Sequence, residues 1–144
     1  MLNDALRSFV TTVSAAACLF LALPVSDARS QDAFLTTWYQ KLETIDLKGL
    51  EELIAPGAIF TLEEFGSRQT REEFIDYMRQ HGDALASVKI RYKVESQSAT
   101  KTTVLVCYDF SEGDPVLNRE TYTIENGRIH SAIQARIGDR CEDS

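Results

Sequence analysis

Cysteine, proline, histidine and tryptophan are scarce in this chain of 144 residues, at three, three, two and one. Only Cys107 and Cys141 lie beyond the amino-terminal apolar segment, so that region can form at most one disulfide. An even pair invites a bridge in an oxidising compartment, but pairing needs Cα atoms within about 7 Å, a condition the sequence leaves open. His81 and His130 have no carboxylate or thiolate at helical ligand spacing, so no metal site is expected. Basic residues are outnumbered 15 to 22, and the net charge of −7 argues against nucleic acid or an anionic membrane as the main partner. There is no phosphate loop, nucleophile elbow or dinucleotide fingerprint, and no cofactor is expected. Repeats, low-complexity tracts and long linkers are also missing.

The one long apolar run sits at the amino terminus and reads as a signal peptide. Arg7 supplies a positive start, residues 9–25 are apolar apart from Thr11, Thr12 and Ser14, and Ser26-Asp27-Ala28 has the small-x-small cleavage pattern. Pro24 closes the run short of the about 20 strongly apolar residues that a membrane span needs, so no stable membrane insertion is expected after processing. Cys18 is followed by Leu19-Phe20-Leu21 and reads as part of the apolar run, not as a lipid-anchor site. Cleavage after Ala28 removes Arg7, Asp4 and Asp27, turning −7 into −6, and leaves residues 29–144 as a single domain in the periplasm or outside the cell.

Beyond the leader the pattern is helical first and period-two afterwards. Residues 32–45 carry Phe34, Leu35, Trp38, Tyr39, Leu42 and Ile45 as an apolar stripe at helical spacing. Asp46 is a natural N-cap for a second helix that buries Leu47, Leu50, Leu53 and Ile54 and is stopped by Pro56-Gly57. A short strand over 58–62 is expected next, then a third helix opened by the capping box Thr70-x-x-Glu73 and ended at Gly82. Val88, Ile90, Tyr92 and Val94 alternate with Lys89, Arg91, Lys93 and Glu95, the signature of a strand buried on one face; further strands are expected over 102–110, 116–125 and 128–137.

Asn126-Gly127 is the strongest turn signal, since both residues tolerate positive φ. A two-residue turn there sets Ile124 against Ile129, Tyr122 against Ser131, Glu120 against Ile133 and Asn118 against Ala135. Alternation then places Asn118, Glu120 and Tyr122 on the helix-covered face with Ile129, Ile133 and Ile137, and sends Arg119, Thr121, His130 and Gln134 outward. A loop at Glu112-Gly113-Asp114 adds Val104, Val106, Tyr108 and Phe110 to the inner face. These elements define an α+β fold with three N-terminal helices on a mainly antiparallel sheet.

The text Trp38…Ile45-Asp46-Leu47…Leu50…Leu53-Ile54-Ala55-Pro56-Gly57-Ala58-Ile59-Phe60, with Thr70-Arg71-Glu72-Glu73-Phe74 and Tyr122-Thr123-Ile124-Glu125-Asn126-Gly127-Arg128-Ile129, resembles the nuclear transport factor two superfamily, also called SnoaL-like. The resemblance implies a curved sheet, a cone-shaped internal cavity and the homodimer through the sheet that is frequent in the superfamily; with the leader, the chain reads as a secreted member. Superfamily members are enzymes, ligand binders or docking subunits, and fold alone does not choose. Trp38 lies where the related ketosteroid isomerases put a tyrosine, and Leu62 stands where their base carboxylate falls, with Glu63 and Glu64 beside it as solvated acids.

Glu120 is the candidate catalytic residue, because an inward carboxylate among aliphatics must be paired, hydrogen-bonded or neutral, and in the last case can serve as acid or base. Arg136 or Arg71 are its candidate partners. Trp38, Tyr92, Tyr108, Asn118 and Tyr122 are candidate ligand-binding residues, able to line an apolar pocket with a few placed polar groups. The leading reading is an exported binder of a small, mostly apolar molecule. Its rivals are a cofactor-free isomerase, cyclase or dehydratase using Glu120, and an accessory subunit docking through Leu105, Leu117 and Ala132 on the outer face.

Overall fold

The computed structural model describes residues 26–141, with side chains from Arg29 onward. The expected leader at 1–28 lies outside the described residues except for 26–28, which begin the first helix. Helix α1 (Ser26–Glu43) buries Leu35, Trp38, Tyr39 and Leu42, the stripe expected from spacing. It stops two residues before Ile45, which turns the chain with φ 51°. Asp46 then caps helix α2 (Leu47–Leu53) by accepting the Gly49 N–H at 2.9 Å.

Pro56-Gly57 does not stop α2. The chain is already extended at Ile54, and strand β1 (Ile54–Leu62) runs through the pair, with Gly57 at φ 78° and the register shifting between Ile54 and Ile59. The dipeptide is an irregularity in a strand, a role open to proline and glycine where ladder bonds are interrupted. A 3-10 turn (Glu63–Phe65) and strand β2 (Ser67–Thr70), neither expected from the sequence, follow. β2 is a short polar strand with no apolar alternation to announce it.

Helix α3 (Arg71–Leu85) opens with the complete Thr70–Glu73 capping box and continues past Gly82. Gly82 serves close packing instead: a Cβ there would lie 3.1 Å from Ile45 Cγ2. Strands β3 (Lys89–Gln97), β4 (Lys101–Asp109), β5 (Val116–Glu125) and β6 (Arg128–Gly138) form the meander. The six strands lie in the order β2-β1-β6-β5-β4-β3, with β1 parallel to β6 and every other pair antiparallel. The result is α+β, with three helices packed on a curved, mostly antiparallel sheet.

β4 and β5 present the expected faces, although Tyr108 pairs with Val116, where a three-residue loop at 112–114 would set Phe110 against Val116. β6 departs more sharply. Asn126 and Gly127 make the turn at φ 51° and 70°, and Ile124 faces Ile129 as expected. The next pair is Thr123 with Ser131, so His130 is an extra residue on β6. One bulged residue exchanges the two faces of a strand. Glu120 therefore faces Gln134, not Ile133, and Asn118 faces Arg136, not Ala135. Gln134 points inward and Ala132 is buried, while Ile133 and Ile137 are each 42% exposed.

The core lies between the helices and the inner sheet face, centred on Leu35, Leu50, Ile54, Val104, Val106 and Ile129. Full burial of such side chains stabilises by about 1.5–3 kcal/mol each relative to exposure. Gln31 pins α1 to the β3–β4 connection, donating to the carbonyls of Ser98 and Ala99 and accepting from Gln97 and Thr102. On the opposite face Cys107 and Cys141 form a disulfide with a Cα–Cα distance of 5.4 Å.

Candidate functional site

A cavity of about 220 Å³ opens between α1, α3 and the inner sheet face. Its walls are chiefly apolar, with Leu42, Phe60, Phe74, Met78, Val88 and Ile90 among them. Four of the five expected ligand-binding residues, Trp38, Tyr108, Asn118 and Tyr122, line it together with Glu120. Tyr92 does not: it keeps to the inner side of β3, but its ring lies 4.8 Å from that of Tyr39 and its hydroxyl is 2.8 Å from Thr36 Oγ1.

Glu120 is 3% exposed and is the only charged side chain lining the cavity among the described residues. Each carboxylate oxygen accepts two hydrogen bonds. Tyr108 donates to Oε1 at 2.6 Å and Gln134 Nε2 to the same oxygen at 2.8 Å. Tyr39 donates to Oε2 at 2.9 Å, and Tyr122 also donates to it. Trp38 supports the cluster from behind, its Nε1–H donating to the Tyr122 hydroxyl oxygen at 3.1 Å. Burial, reinforced by the Glu120 carboxylate, pushes the Tyr39, Tyr108 and Tyr122 phenols well above the ordinary tyrosine range. They therefore stay protonated and act as neutral donors.

Neither expected arginine partner reaches Glu120. Arg136 lies 3.6 Å from Glu64, and Arg71 lies 3.2 Å from Glu51 and donates to its carbonyl at 3.0 Å. Glu63 and Glu64 are exposed on the 3-10 turn and do not line the cavity, whereas Leu62 does. His81 and His130 are both exposed.

Asn118 differs from its neighbours. It is 6% exposed, lines the cavity and makes no side-chain hydrogen bond among the described residues. Its amide atoms reach the cavity space, since the only fully buried side-chain nitrogen or oxygen without a partner among the described residues is Arg71 Nε, and the amide is available to a polar group of a ligand.

Two contributors escaped the sequence reading. Tyr39 sits in the helical stripe as another apolar position, and nothing in that spacing says its hydroxyl reaches a strand 81 residues away. Gln134 was assigned to solvent, because a bulge at His130 leaves no mark in the alternation of Ile129, Ile133 and Ile137.

No protein-family model matches the chain, and no curated protein matches it significantly. Solved structures do. A nuclear-transport-factor-two-like protein of unknown function from Burkholderia xenovorans LB400 superposes with a TM-score of 0.65 at 16% identity, covering 82% of this chain and 90% of that one. A Kribbella flavida DSM 17836 protein provisionally named a ketosteroid isomerase gives 0.62 at 10% identity, covering 81% and 84%. An epoxide hydrolase from M. tuberculosis gives 0.58 at 10% identity, covering 76% and 84%. The chain has the nuclear-transport-factor-two-like, or ketosteroid-isomerase-like, cone fold. At these identities the likeness extends to the fold and not to the chemistry.

Proposed function

We propose that this protein is an exported binder of a small, mostly apolar molecule, held in the cavity with one polar group on Asn118. The observation that carries the reading is the contrast between the two buried polar residues of the cavity. The Glu120 oxygens are fully occupied by protein donors, whereas the Asn118 amide is free to meet a ligand. A carboxylate engaged by four donors must lose one of them before it can take a proton from a substrate, which weighs against the enzymatic reading. The leader-like amino terminus and the Cys107–Cys141 bridge support an oxidising, extracytoplasmic location.

Native mass spectrometry of the protein purified from its own cell envelope tests both parts. The reading expects a mature chain beginning at Arg29 and a co-purifying small molecule that is lost in Asn118→Leu. An intact leader would overturn export. A clean mass, with no uptake of the apolar probe N-phenyl-1-naphthylamine, would overturn binding.

Association of two copies through the outer sheet face is a second reading. It is favoured by the exposure of Ile137, which makes the sheet surface more apolar than simple alternation implies. Sedimentation of Ile137→Lys against wild type tests it: a dimer that persists in the variant, or a monomeric wild type, would count against it.

A further inference from the structure

The cavity carries a negative charge that the protein does not neutralise. Glu120 is buried, its four partners are all neutral, and no lysine, arginine or histidine lines the hollow among the described residues. Arg71 and Arg136, the partners expected from the sequence, pair instead with Glu51 and Glu64. Hydrogen bonds from neutral groups spread the carboxylate's charge but leave it at minus one. A buried charge is ordinarily matched by an opposite one, because a low-dielectric surround makes the uncompensated state costly.

The remainder of the wall suits a cation. Trp38, Phe60 and Phe74 line the same space as a stack, with ring centroids 4.4–6.3 Å apart, and Tyr77 lines it where the wall is open to solvent; aromatic rings attract a cation through their electron-rich faces. Asn118 adds a carbonyl oxygen whose negative end can face a cation. The Glu120 oxygens are already saturated, so the cation need not touch them; Coulomb attraction acts over several ångströms where water is absent. An anionic ligand would meet repulsion at the same place, and a neutral one would leave the carboxylate as it is.

We propose that the ligand is a small hydrophobic ammonium ion, seated among the aromatic rings with its positive charge compensating Glu120. This rests on the binding reading above and specifies the chemistry of its ligand. No bond is made or broken.

The test uses a pair of molecules of one shape, phenyltrimethylammonium and tert-butylbenzene, each competing with N-phenyl-1-naphthylamine on the purified protein. Wild type should prefer the ammonium by at least about tenfold, the equivalent of about 1.4 kcal/mol. In Glu120→Gln that preference should vanish while tert-butylbenzene binds as before, the neutral compound also reporting that the variant is folded. If the variant does not fold, the wild-type ratio decides, with Tyr108→Phe, which keeps the charge and removes one donor, expected to retain the preference. Equal or tighter binding of tert-butylbenzene to wild type overturns the charge inference and leaves the binding reading standing. Failure of both compounds and of the probe to bind overturns the binding reading and this inference together.

Discussion

Arg119 and Glu120 are adjacent in sequence and occupy opposite faces of β5, and the two faces treat a carboxylate in opposite ways. On the outer face Glu95 receives two hydrogen bonds from Arg119, at 2.8 and 2.9 Å, in water. The Arg119 hydrogen bonds hold the Glu95 carboxyl below the usual carboxylate range, and solvent screens what remains. On the inner face Glu120 receives four bonds from neutral groups and no countercharge. The outer pair is self-contained and has nothing left to offer a partner. The inner cluster is saturated in hydrogen bonds and has no basic side chain beside it in the cavity wall among the described residues.

The contrast is broken most severely by Glu120→Ala, which leaves three phenols and one amide without their acceptor in a buried place. We expect a loss of about 3–5 kcal/mol in urea unfolding, because stranded buried donors each cost about 1–3 kcal/mol with partial relaxation. A loss below about 1 kcal/mol would show that the donors find other partners or water.

Replacing both cysteines by serine acts on the outer face alone. A crosslink across 34 residues predicts a loss of about 4 kcal/mol. The probe affinity should not change, since Cys107 and Cys141 lie across the sheet from the cavity. Altered binding would mean that the two faces are not independent.

Raising the pH separates the faces by titration. The folded-state phenols of Tyr39, Tyr108 and Tyr122 are raised above their unfolded values, so their contribution is complete below about pH 10. Above that the unfolded chain releases protons which the folded chain retains, and stability falls by up to about 1.4 kcal/mol per pH unit for each phenol. Phenolate absorbance before unfolding should account for no more than two of the five tyrosines. Titration of all five in the folded protein would contradict the cluster. Glu95 gives the opposite sign: its lowered pKa contributes above the ordinary carboxylate range and is lost as pH falls. Arg119→Ala should barely move the melting temperature, and that small effect should disappear in salt.

Where chemistry was local, the sequence disclosed the structure. The Asp46 cap, the Thr70–Glu73 capping box and the Asn126-Gly127 turn each act within four residues and are present as expected. The faces of β4 and β5 followed from alternation because no bulge falls between Tyr108 and Lys101 in their pairing. β6 departs from simple alternation because one extra residue at His130 exchanges its faces as far as Arg136, where a second shift follows, and no single residue type encodes such bulges. The same slip hid Gln134 and exaggerated the burial of Ile133. Glu120 was recognisable from β5 alone, whereas Tyr39 needed the three-dimensional approach of α1 to the sheet.

The central claim is that three neutral phenols donate to one buried carboxylate at the cavity wall. Proton NMR of the phenol hydroxyls tests it most directly. The account predicts three slowly exchanging, downfield hydroxyl resonances assigned to Tyr39, Tyr108 and Tyr122, all displaced in Glu120→Gln. Rapid exchange of all three with water, or resonances unmoved by that substitution, would contradict it.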